Sequence, residues 1–81
     1  MKKTEYLGLI KEIGKSVRAN NIRYGRVFSD KRKSTGYRTK FWYVFGRQTC
    51  AVAAIAIAIG GDAINVEISY GDVIITPKQL S

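Results

Sequence analysis

Apolar residues recur at a spacing of three and four over residues 4 to 19, where Tyr6, Ile10, Ile13 and Val17 share one stripe and Leu9 stands beside it. That period predicts an amphipathic helix. Thr4 stands where an N-cap oxygen is useful, Glu5 suits the positive end of the helix, and Asn20 and Asn21 supply residues that tolerate the left-handed stop. Gly8 and Gly14 oppose it, each by about 1 kcal/mol against alanine in a helix interior.

Past this segment the period shortens to two. "IRYGRVF" (22–28) and "YRTKFWYVF" (37–45) have the β-branched and aromatic content of strands, and "SDKRKSTG" between them has the Asp, Ser and Gly of a connecting loop, so a β-hairpin with a long basic tip is expected. Alternation on the second strand puts Tyr37, Thr39, Phe41, Tyr43 and Phe45 on one face, assigned to the core, and Arg38, Lys40, Trp42 and Val44 on the other. "AINVEISY" (63–70) alternates with Ile64, Val66, Ile68 and Tyr70 inward. "YGD" then turns the chain into "VIIT", which Pro77 closes.

The segment "TCAVAAIAIAIGG" fits two periods. As a strand (50–59) it sets Ile55, Ile57 and Ile59 on one face and Ala54, Ala56 and Ala58 on the other. As a helix (49–59), with Thr49 as cap and Gly60-Gly61 as stop, it places Ile57 away from the stripe of Val52, Ile55 and Ile59 and so demands burial all round. That demand favours the strand. The expected fold class is α+β: an N-terminal amphipathic helix followed by a mostly antiparallel sheet of about five strands, the alternative being an αββαββ order with 49–59 helical. As a strand, the small alanine face invites close approach by a second copy, a possible homo-oligomer.

Length limits this to one small domain, residues 1–81, with a thin stability margin. Charge changes the picture more. Residues 1–48 carry thirteen Lys/Arg against three acids, net +10, and residues 49–81 carry one Lys against three acids, net −2, giving the +8 of the whole chain. A basic face built by the first half on a scaffold completed by the second follows from that split.

One cysteine, Cys50, and no histidine leave neither an internal disulfide nor a thiolate–imidazole cage for zinc. They also remove the commonest general base near neutral pH. Arg47 and Gln48 adjoin Cys50, but without a base it is expected as a small core residue rather than a nucleophile. The six carboxylates are scattered, and Gly60-Gly61 lacks both the lysine of a P-loop and the third glycine of a dinucleotide site. No enzyme, cofactor or metal is expected. The N-terminus is interrupted by charges and reads as mature protein, and the longest apolar run, ten residues, is half of the roughly 20 that span a bilayer. A cytoplasmic location fits the cysteine usage.

The positive chemistry lies in the hairpin. Lys31, Arg32 and Lys33 at its tip and Arg23, Arg26, Arg38, Lys40 and Arg47 flanking it can neutralise phosphates, while Trp42 and Tyr37 offer rings for stacking. Trp42 has a second possible place, in the core under the N-terminal helix. The expected function is non-enzymatic binding of DNA or RNA through this basic, aromatic-containing hairpin; the alternative is a small inhibitor, adaptor or assembly subunit that docks its basic face on an acidic partner protein. Attachment to an anionic membrane through the first helix ranks last, since Glu5 and Glu12 interrupt its charge.

Overall fold

The computed structural model describes residues 1–31, 36–43 and 48–79. Helix α1 (Lys3–Ala19) is followed by strands β1 (Gly25–Lys31) and β2 (Gly36–Trp42), helix α2 (Thr49–Gly60) with a short 3-10 turn (Gly61–Ala63), and strands β3 (Ile64–Ser69) and β4 (Asp72–Pro77). The strands form one antiparallel sheet in the order β1-β2-β4-β3. This is an α+β fold with four strands rather than five, in the αββαββ order.

Helix α1 forms as its period predicts. Tyr6, Ile10, Ile13, Gly14 and Val17 are its buried residues. Its start differs: the helix begins at Lys3 without a side-chain cap, so Thr4 lies inside the first turn. The stop uses both asparagines, with the Asn20 side-chain amide donating to the Ser16 carbonyl at 2.8 Å and Asn21 adopting φ 60°. Gly14 stands at a close approach of a side chain. A Cβ there would lie 2.8 Å from the Tyr24 hydroxyl, which donates to the Gly14 carbonyl at 3.2 Å.

Residues 49–60 are helical, which corrects the strand expectation. Val52, Ala53 and Ala56 are buried, and Ile55 and Ile59 are partly buried against the core. Val52, Ile55, Ala56 and Ile59 follow the i, i+3, i+4, i+7 spacing of one helix face, with Ala53 beside them. The argument from burial failed because the fold does not bury Ile57, which is 57% exposed beside the exposed Ala54 and Ala58. Alanine carries no polar group and is the best helix former, so it occupies the solvent side of a helix at little cost. The self-association expected from an alanine strand face loses that basis. Cys50, expected in the core, is exposed in the first turn of α2.

Both helices pack on one side of the sheet. Tyr6, Ile13 and Val17 of α1 and Val52 and Ala56 of α2 join Phe41, Ile64, Val73 and Ile75 in one cluster. At its centre the Tyr6 hydroxyl donates to the Ile75 carbonyl at 2.7 Å and is hydrogen-bonded with Thr39 Oγ1 at 3.0 Å. This pins α1 across β2 and β4. Burial of Tyr6 holds its phenol above the ordinary tyrosine range, with the Thr39 bonds acting against the rise.

Two further expectations change at the second hairpin. Ile68 is about half exposed because β3 is an outer strand with helix cover only toward its start, and Tyr70, expected inward, lies fully exposed at the turn with φ 53°. The first hairpin is displaced toward its tip relative to the expected 22–28 and 37–45, its paired strands running from Gly25↔Trp42 to Lys31↔Gly36.

Candidate nucleic-acid interface

Residues paired directly across antiparallel strands point to the same face, so the register assigns the described strand side chains to a side of the sheet. Phe41, Val73 and Ile75 point to the helices. The opposite face carries the row Gly25, Trp42, Asp72 and Ser69, and the row Val27, Lys40, Ile74 and Glu67, with Arg38 next along β2 opposite Ser29. No described helix packs on this face. Arg38, Lys40 and Trp42 therefore stand side by side on a face that no described helix covers, as the alternation of "YRTKFW" predicts.

Trp42 belongs to this face and not to the core under α1. Its indole lies over Gly25, where any Cβ would overlap the six-membered and pyrrole edges of the ring. A glycine directly opposite thus lets the indole lie down along the sheet, half-buried with the rest of its surface outward. Val27 beside it is exposed, and Ile74 is buried between its neighbours. The result is a platform of one indole and two aliphatic side chains edged by cations. Flat apolar surfaces of this kind are what unstacked bases and sugars rest on.

The electrostatics divide the face in two. Arg38 and Lys40 stand on β2, and Asp72 and Glu67 stand on β4 and β3. Lys40 Nζ is 2.9 Å from Asp72 Oδ2, with the two side chains 42% and 27% exposed. A polyanion meets Arg38 unopposed by any described carboxylate but must compete with Asp72 for Lys40. The positive potential of this face is thereby weighted toward β1 and β2, away from β3.

Other residues nominated by sequence lie elsewhere. Tyr37 and Arg26 project to the helix side. Tyr37 stacks on Tyr6 and Phe28, with ring centroids 6.1 and 6.0 Å apart, and Lys3 Nζ sits 4.9 Å over its ring. Phe28 is 41% exposed on that side. Arg23 precedes β1 and is exposed, and Lys31 closes that strand. Arg32, Lys33 and Arg47 lie outside the described residues. The carboxylate at Asp72 was not legible as a partner of Lys40, since 32 positions separate them and only the β2–β4 pairing unites them.

Tyr43, next after Trp42, packs against the core with its hydroxyl buried and without a hydrogen-bond partner among the described residues. Burial, aided by the Asp72 charge, pushes its phenol up to about 12. Among the described residues no group of three or more His, Cys, Asp and Glu is placed to hold a metal, and no helix is long and apolar enough to cross a membrane. Searches of family models, curated proteins and solved structures found no match to this chain.

Proposed function

We propose that this protein is a small, non-enzymatic nucleic-acid-binding domain of the cytoplasm, and that its interface is the uncovered sheet face of β1 and β2 continued into the basic hairpin tip. The observation that carries this reading is the juxtaposition of Arg38, Lys40 and Trp42 on a face that no described helix covers. Arg38 and Lys40 bind phosphates, joined by Lys31, Arg32 and Lys33 from the tip. Trp42 takes a base or sugar on its outward indole surface, held flat by Gly25. Arg26 and Tyr37 are not part of this footprint, because the register directs them to the other side.

Affinity for polyphosphate falls linearly with salt on logarithmic axes, by about 0.7 per phosphate for a single strand and about 0.9 for a duplex. A fluorescence-anisotropy series against labelled single-stranded DNA, duplex DNA and RNA across salt concentrations therefore tests the reading. Binding that weakens steeply with salt, with the slope reduced by about one contact in Arg38→Ala and most of it lost on replacing Lys31, Arg32 and Lys33 together by alanine, is expected. Trp42→Ala lowers affinity for the strand with unpaired bases by about 1–3 kcal/mol without changing the slope. Absent binding, or binding indifferent to salt, refutes it.

A further inference from the structure

A second surface lies on the helix side of the sheet and shares no residue with the face just described. Helix α1 turns Leu7, Lys11, Gly14 and Arg18 along one stripe, at the i, i+4, i+7 and i+11 spacing, toward the flank of β1. Across from it β1 contributes Arg26 and Phe28, alternate residues that share the helix-side face. The two elements enclose a groove of about 340 Å³. Its apolar lining is Ile10, which is buried, with Leu7 and Phe28, which remain 39% and 41% exposed.

Lys11, Arg18 and Arg26 surround this apolar floor, and no carboxylate is among its described lining residues. Three cations facing one hydrophobic slot fit an occupant that brings an apolar side chain flanked by negative charge. A second feature narrows the class. β1 is the outermost strand of the sheet, so its far edge presents backbone N–H and C=O groups without a strand partner among the described residues. An extended chain laid along that edge pairs with β1, and every second side chain then points into the groove under α1.

The geometry points to a docking site for an extended acidic segment of a partner protein, added as a fifth strand to β1, with an apolar side chain in the groove and carboxylates on Arg26, Arg18 and Lys11. Nucleic acid fits this groove less well, because bare phosphates leave Leu7 and Phe28 in water and cannot pair with the strand edge. The site is independent of the nucleic-acid interface: Arg38, Lys40 and Trp42 occupy the opposite side of the same sheet. The two surfaces can be occupied together.

The test uses the full chain and a short fluorescein-labelled peptide in which glutamate, phenylalanine and glutamate alternate with threonine, beside a control with lysine in place of both glutamates. Saturable binding of the acidic peptide, weakened about tenfold by Arg26→Glu and by Leu7→Ser and not by Arg38→Ala, is expected, with little binding of the lysine control. Both altered groove residues are exposed, and unchanged circular dichroism of the variants verifies that they fold. Slowed hydrogen exchange at β1 amides on adding the peptide reports strand addition specifically. The proposal is overturned if the acidic peptide does not saturate the protein, if both peptides bind equally, or if Arg26→Glu and Leu7→Ser leave binding intact. Equal loss of peptide and oligonucleotide binding in Arg38→Ala also overturns it, by showing one polyanion surface in place of two.

Discussion

Asp72→Asn separates the nucleic-acid reading from a mere description of a basic surface, because it makes the protein bind better while folding slightly less well. In the wild type the 2.9 Å pair with Asp72 neutralises Lys40, so a phosphate reaching Lys40 displaces a carboxylate before it gains a cation. Partly exposed pairs of this type are worth about 0.2–1 kcal/mol, and with Lys40 42% exposed the lower part of that range applies after solvent screening. A carboxylate about 4 Å from a bound phosphate adds a repulsion of about 1 kcal/mol in water. Removing the charge should therefore tighten binding about two- to fivefold at low salt. The freed Lys40 becomes a full phosphate contact, so the logarithmic salt slope steepens by about 0.7–0.9, which is roughly a threefold larger loss of affinity between about 50 and 200 mM salt.

The assay is anisotropy of a labelled single strand at several salt concentrations, paired with chemical denaturation, where a stability loss below about 1 kcal/mol is expected. Lys40→Ala supplies the second corner of a double-mutant cycle. In that background Asp72→Asn relieves only the repulsion, so its gain should shrink and the slope should not steepen. Equal gains with and without Lys40 would show that phosphate does not reach this lysine. No gain from Asp72→Asn in the wild type would refute the placement of the footprint on this face.

Tyr43 in the core and Gly8 on the exposed side of α1 give three further outcomes. Tyr43→Phe removes a buried hydroxyl without a described partner, so stability should be unchanged or rise by up to about 1 kcal/mol; a loss beyond that in denaturation would reveal a hydrogen bond unaccounted for. Tyr43 ionises at about 12 when folded against its ordinary 10.0, so the unfolded chain gives up this proton first: the contribution to stability is complete below pH 10 and is lost as pH rises through 12, and Tyr43→Phe should flatten the fall of stability over that alkaline window. Gly8→Ala meets no neighbour within 4 Å on the exposed side of α1 and should stabilise by about 0.5–1 kcal/mol, measured by thermal or denaturant unfolding; a destabilised variant would contradict the helix assignment there.

The amphipathic period of α1 and the alternation of β2 were legible because each element has one buried side and one wet side, and the side chains differ in polarity accordingly. The same condition made Arg38, Lys40 and Trp42 legible as a set, even though sequence left Trp42 between platform and core. Gly25 resolves that choice, and its role cannot be read locally because 17 positions separate it from the ring it accommodates. Tyr37 and Arg26 were nominated for their chemistry although alternation had already assigned Tyr37 to the core, and there the period was the better guide. In α2 the contrast between sides vanishes: isoleucine and alanine alternate, no residue from 49 to 60 is charged, and both a period of two and a period near 3.6 are satisfied. Deciding between them required knowing whether the domain buries Ile57, and it does not. Sequence patterns thus identify faces where polarity distinguishes core from solvent. Where alanine occupies both, the element is determined by the long-range contacts of Val52 and Ala56 with the sheet, which only the assembled fold supplies.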